Sequence, residues 1–190
     1  ADAYLLLKFD GGSLEEIEKV YGDVAELCID AGAVDVLVSD TKEREEPIWK
    51  ARGVFLEAIK ASTSCMDEVD IVVPRSRVAE LVEYTHELQK ELGVRIKSFG
   101  HAGDGNLHAY ILKDELSDSE WKGKLSLAME KLYDKGRELE GQVSGEHGIG
   151  FAKKPYLKKA LSPELMGIMR EIKRVFDPNN ILNPHKVCDD

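Results

Sequence analysis

Three of the five histidines stand in two short glycine-rich runs, beside acidic residues that could share a cation with them. The first run is Gly100-His101-Ala102-Gly103-Asp104-Gly105-Asn106-Leu107-His108. Asp-Gly between strand-like segments predicts a two-residue hairpin, because a type I′ turn needs positive φ at both central residues. With Asp104 and Gly105 as the loop, Gly103 pairs with Asn106, Ala102 with Leu107 and His101 with His108. Directly opposed residues share a sheet face, with Cβ atoms about 4.5–5.5 Å apart. Two imidazoles so placed can converge on one cation, at about 2.0–2.1 Å if it is zinc. The competing reading is a cross-strand pair of rings with no metal. A calcium loop starting at Asp104 fails, because its sixth position is Ala109 where glycine is required.

The second run is Gly145-Glu146-His147-Gly148-Ile149-Gly150. Neighbouring residues in extended backbone point opposite ways, so Glu146 and His147 can serve one site only on a bent segment. Glycines permit that bend. Taken alone, this run reads as a turn with solvated charges; beside two histidines that lack a carboxylate it gains meaning. His101, His108 and Glu146 make a two-histidine, one-carboxylate set with positions left open for substrate, the arrangement of a catalytic metal site. His147 remains available as an acid–base group. These residues alone also fit a metal-dependent hydrolase with His147 as proton shuttle, or a non-catalytic metal-binding module.

The elements that must position these residues follow from pattern. Residues 4–9 and 34–38 read as apolar strands, and Ser13 caps a helix with Leu14, Ile17, Val20, Val24 and Leu27 at helical spacing. A helical stretch runs from Thr41 to Ser64, with Pro47 marking its regular start. Residues 70–74 read as a strand, Ser76 caps a helix to Leu92-Gly93, and residues 95–101 and 107–112 are strand-like. Ser117 and Glu120 form a capping box ahead of a helix to about Leu139. Ser162-Pro163 opens a last helix that Asp177-Pro178 ends. The class is α+β, a mixed or antiparallel sheet covered by helices, in a single domain over 1–190.

A net charge of −10 argues against nucleic acid or an anionic membrane as the main partner. Cys28, Cys65 and Cys188 are odd in number and lack CxxC spacing, which reads as reduced thiols in a cytoplasmic setting. No apolar run reaches the length of a membrane span. Lys153, Lys154, Lys158 and Lys159 read as a solvated helix face, and His86 and His185 as structural or surface residues.

GHAGDGNLH, SGEHGIG and the terminal FDPNNILNP occur in this order, and with them the whole chain resembles the C-terminal domain of FAD-linked oxidases. Members act on D-lactate, glycolate or D-2-hydroxyglutarate. The resemblance implies a ferredoxin-like domain that caps a separate FAD-binding domain, not contained in this chain. It implies that His101, His108 and Glu146 ligate a divalent metal (zinc, iron or manganese), that His147 is the catalytic base and that Arg52 holds the substrate carboxylate. It further implies that the segment with Asn183 lies against the flavin and that an electron-transfer subunit is a possible partner. Two positions depart from the 2-hydroxyglutarate branch, where a lysine and an asparagine contact substrate; here they are Glu68 and Tyr110. The acidic residue makes a second substrate carboxylate unwelcome, which favours a small 2-hydroxy acid such as D-lactate or glycolate. A chain without the flavin domain is expected to be inactive by itself.

Overall fold

Residues 106–112 alternate between two chemistries, with Asn106, His108 and Tyr110 at one parity and Leu107, Ala109 and Ile111 at the other. Extended backbone sends these two sets to opposite sides, so a sheet built on this segment has one polar and one apolar face. The computed structural model, which describes residues 3–188, has that arrangement. Strands β1 (Met66–Val72), β2 (Arg95–His101) and β3 (Asn106–Leu112) form an antiparallel sheet in the order β1-β3-β2.

Seven α-helices are present among the described residues: α1 (Leu14–Asp30), α2 (Lys42–Gly53), α3 (Phe55–Ala61), α4 (Val78–Leu92), α5 (Asp118–Glu138), α6 (Lys154–Ala160) and α7 (Pro163–Phe176). Contacts divide the chain into two compact units, the first ending at Val54 and the second beginning at Phe55. The α+β class and the antiparallel sheet agree with expectation.

In the second unit, α4 and α5 cover the apolar face of the sheet. Leu81 and Leu88 of α4 and Ala128 and Leu132 of α5 are fully buried in one cluster with Val69, Ile71, Leu107, Ala109 and Ile111. Each buried Leu or Ile contributes about 1.5–3 kcal/mol through removal from water. The capping box at Ser117 and Glu120 forms as expected, which fixes where α5 starts. Ser162 likewise caps α7, accepting from the Leu165 N–H.

In the first unit, Ser13 caps α1 by accepting from the Glu16 N–H. Residues 4–9 and 34–38, expected as strands, form none among the described residues. A strand needs a neighbour to satisfy its backbone groups, and apolar sequence alone does not supply one. Tyr4, Leu5, Val34 and Leu37 remain exposed.

Other boundaries differ for physical reasons. The helix expected over 41–64 is two, α2 and α3, interrupted at Val54. Pro47 lies inside α2, because the Thr41 carbonyl already accepts from the Arg44 and Glu45 N–H groups and starts the helix upstream. Ser76 is not a cap: it lies in a 3-10 turn over Arg75–Arg77, closed by the Arg77 N–H on the Pro74 carbonyl, and α4 starts after it. β1 begins at Met66 rather than at Asp70. Its charged Asp67 and Glu68 hide it from hydrophobic pattern, yet an edge strand tolerates charge.

None of the helices is long and apolar enough to cross a membrane, among the described residues. The three cysteines are unbridged.

Candidate active site

Three rows of opposed residues cross the polar face of the sheet. They are Val72–Asn106–His101, Asp70–His108–Phe99 and Glu68–Tyr110–Lys97. The hairpin joining β2 to β3 is not the expected two-residue turn. Residues 102–104 form a 3-10 turn, Asp104 does not take positive φ, and only Gly105 does, at 75°. The Gly105 N–H donates to the Ala102 carbonyl, while its own carbonyl accepts from the Val73 N–H at 2.9 Å. A Cβ at Gly105 would lie 2.0 Å from the Val73 oxygen, so the end of β1 claims this residue and lengthens the loop.

His101 therefore opposes Asn106, and His108 opposes Phe99. The shift is two residues, the period of a strand, so both histidines keep the same face and meet along a diagonal instead of across the ladder.

The second glycine run reaches this face through Asp70. Gln142 makes an antiparallel bridge to Val72 on the free edge of β1, and the chain then folds over the sheet. Asp70, 0% exposed, accepts from the backbone N–H of Gly145 (3.1 Å), Glu146 (3.2 Å) and His147 (3.0 Å). It also accepts from the Ser144 hydroxyl (2.7 Å), the Asn106 amide (2.8 Å) and Lys153 Nζ (3.2 Å). Burial by itself would raise the Asp70 pKa. The His147 N–H, the Ser144 hydroxyl, the Asn106 amide and the Glu146 N–H outweigh it and hold the carboxyl far below the usual range. Gly145 is required for this approach, since a Cβ there would lie 2.0 Å from Asn106 Nδ2.

Asp70 is thus the residue that sequence reasoning missed. Its signal was an acid between Val69 and Ile71 in an apolar strand, because a buried charge demands partners. Lys153 also departs from expectation: it is no solvated lysine but lies largely buried against Asp70 and Ser144.

The folded loop brings Glu146 and His147 to the two histidines. His101 Nδ1 is 2.8 Å from Glu146 Oε1, and His108 Nε2 is 3.8 Å from the same oxygen. One ligand atom each from His101, His108 and Glu146 lie within 4.8 Å of one another. His108 is 5% exposed, whereas His101, Glu146 and His147 are exposed, so the set is anchored at its base and open on its outer side. The ring of His147 stacks on that of His108, with centroids 4.8 Å apart.

Glu68, Tyr110 and Phe99 complete the surroundings. Glu68 Oε1 is 2.7 Å from His108 Nδ1 and 3.2 Å from His147 Nδ1, so Glu68, His108 and His147 form a second group of possible ligands that shares His108. Burial first, then the charge of Glu68 and a hydrogen bond to it, push the Tyr110 phenol up to about 12. Phe99 stacks on Tyr110, with ring centroids 5.2 Å apart.

Arg52 and Asn183 stand on other elements. Arg52 is half-buried in the last turn of α2, within the first unit. Asn183 takes a left-handed conformation in the C-terminal segment, with its side-chain oxygen accepting from Lys186. That segment is held by Asp177, the residue that ends α7, whose carboxylate accepts from the Ile181 and Leu182 N–H groups, both at 2.9 Å.

Residues 1–187 match the family model described as FAD linked oxidases, C-terminal domain. Among curated relatives, a D-lactate dehydrogenase of Anaerostipes hadrus is 48% identical over 98% of this chain. The glycolate oxidase subunit GlcD of Bacillus subtilis is 35% identical over 98% of it. A D-2-hydroxyglutarate dehydrogenase of Stutzerimonas stutzeri is 31% identical over 97%. The chain spans 39%, 39% and 40% of the lengths of these three proteins.

Proposed function

The chain belongs to the C-terminal domain family of FAD linked oxidases, and from that premise we propose that it is the substrate- and metal-binding part of an FAD-dependent 2-hydroxy-acid dehydrogenase. The observation that carries this reading is the convergence of His101, His108 and Glu146 beside His147 on the polar face of the sheet. Two imidazoles and a carboxylate with an open outer side suit a divalent zinc, iron or manganese ion.

His101, His108 and Glu146 hold the ion, with His108 fixed by its burial in the sheet. Arg52 is assigned to the substrate carboxylate, which its planar fork matches with two parallel hydrogen bonds. His147 accepts the proton of the substrate hydroxyl, and its stacking on His108 keeps it close to the ligand set. When bound, the ion supplies positive charge that acidifies a coordinated hydroxyl, and the flavin supplies a two-electron acceptor. None of the side chains of this chain can take a hydride, so the chain without flavin is inactive. Asn183 is assigned to the flavin side, and a cytoplasmic setting with a separate electron-transfer subunit fits the same reading.

Glu68 puts a negative charge where the 2-hydroxyglutarate branch carries a lysine, which makes a second substrate carboxylate unwelcome. This supports D-lactate or glycolate over D-2-hydroxyglutarate, in keeping with 48% identity to a D-lactate dehydrogenase. The test is turnover of all three acids by the full-length protein, before and after removal of metal with a chelator. A small monocarboxylate should be favoured by about tenfold or more in kcat/KM, since opposed like charges cost upward of about 1 kcal/mol. Activity should vanish on chelation and return with Mn²⁺ or Zn²⁺. Preference for D-2-hydroxyglutarate would overturn the substrate assignment, and turnover indifferent to chelation would overturn the metal.

A further inference from the structure

We propose that Glu68 is a positioning residue that dictates which ring nitrogen of both His108 and His147 carries the proton. The inference rests on reading His108 as a ligand and His147 as the base. It adds what decides the nitrogen that each presents.

One carboxylate oxygen, Glu68 Oε1, is 2.7 Å from His108 Nδ1 and 3.2 Å from His147 Nδ1. The stacking of the two rings, 27° from parallel, is what lets a single oxygen serve both. An ionised carboxylate can only accept, so the His108 contact is a hydrogen bond only if Nδ1 bears the hydrogen, and the His147 contact is an ion-pair approach in which the same negative oxygen favours the hydrogen on Nδ1. A neutral imidazole has one N–H, and both Nε2 atoms are then left with a lone pair. On His108 that atom is the one facing Glu146, at 3.8 Å. On His147 it is the atom left to take a proton.

This tautomer is not the default, because free neutral histidine in water favours the hydrogen on Nε2. Some acceptor must hold it, and no other acidic group facing these rings does so as well. Asp70 Oδ1 is 4.0 Å from His108 Nδ1 and is already engaged by the Asn106 amide and the Gly145 N–H. Glu146 faces His101 and the opposite nitrogen of His108. Glu68 itself lies directly opposite Tyr110 in the ladder, and it sits on a strand rather than on a loop. A carboxylate behind a ligating imidazole fixes the ring and strengthens it as a donor. Here one carboxylate does so for a ligand and for the base together, at a position where a lysine could accept from neither.

The experiment is long-range proton–nitrogen correlation spectroscopy on the metal-free 190-residue chain with ¹⁵N-labelled histidine. It is run at about pH 8.5, above the ordinary histidine range near 6.5. Signals are assigned with His108→Gln and His147→Gln. The wild type should show hydrogen on Nδ1 of both rings, and Glu68→Ala should return both to Nε2. Glu68→Gln, with one acceptor and one donor group, should lose at least one of the two and weaken Zn²⁺ binding by about ten- to a hundredfold. Hydrogen on Nε2 in the wild type overturns the proposal whether or not the variants fold, as does hydrogen remaining on Nδ1 in Glu68→Ala. Correct tautomers in a chain that binds no metal would support the role of Glu68 and sink the ligand assignment instead.

Discussion

The two faces of the sheet share three strands and, on β3, one degree of burial, but not one kind of stability. On β3, Leu107, Ala109 and Ile111 are 6%, 2% and 0% exposed, while Asn106, His108 and Tyr110 are 2%, 5% and 3% exposed. The apolar set is stabilised by leaving water and packing under α4 and α5. The polar set gains little from leaving water and depends on partners: the Asn106 amide donates to Asp70 and His108 Nδ1 meets Glu68, while the Asn106 side-chain oxygen is left without one. Residues 144–147, folded back across the face, supply four of the hydrogen bonds that satisfy Asp70, which lies beside His108 on the same face. One face can therefore be damaged without loss of chemistry, and parts of the other can be removed without loss of the fold.

Ile111→Ala strikes the apolar face at a fully buried position. It should lower unfolding stability by about 4 kcal/mol, read by urea denaturation, while the folded fraction keeps its metal affinity. Asp70→Asn strikes the polar face at its anchor and should cost about 3 kcal/mol, since a buried network loses its charge. Its signature is pH dependence. The folded-state pKa of Asp70 is depressed, so its contribution is full above the unfolded value of about 3.9 and is lost as pH falls below it. Wild-type chain should therefore weaken more steeply on acidification from pH 4 to about pH 2 than Asp70→Asn does. Equal slopes would mean that Asp70 does not anchor the loop.

His101→Ala, at an exposed position on the polar face, should change stability by no more than about 0.5 kcal/mol. It should nevertheless remove tight metal binding, the sharpest separation of the two kinds of loss. Smallest is the effect of Glu68→Gln on Tyr110. The phenol should ionise below its present value of about 12 without reaching the ordinary value of about 10, because burial, the first cause, remains. Absorbance at alkaline pH measures it, and an unmoved midpoint would mean that Glu68 does not touch Tyr110.

Local chemistry was legible in the sequence. Ser13, Ser117 and Ser162 cap the helices that they were expected to cap, and β2 begins and ends where its residues imply. These features are settled by neighbours within a few residues. What was hidden depends on distant partners. The hairpin register follows from the Val73 N–H reaching the Gly105 carbonyl, which no turn rule contains. Asp70 and Lys153 read as a strand residue and a surface charge, because the bonds that define them span 74 to 83 residues. The side chains of His101, His108, Glu146 and His147 nonetheless lie near one another in space. The register slipped by two, and a slip of one would have sent His108 to the core.

The most direct test of a metal-binding polar face is a calorimetric titration of the metal-stripped chain with Zn²⁺ and Mn²⁺, with and without D-lactate, repeated on His108→Ala. One ion per chain, bound more tightly with D-lactate and lost in His108→Ala, is the predicted result. No binding, two ions per chain, or binding that survives in His108→Ala would contradict it.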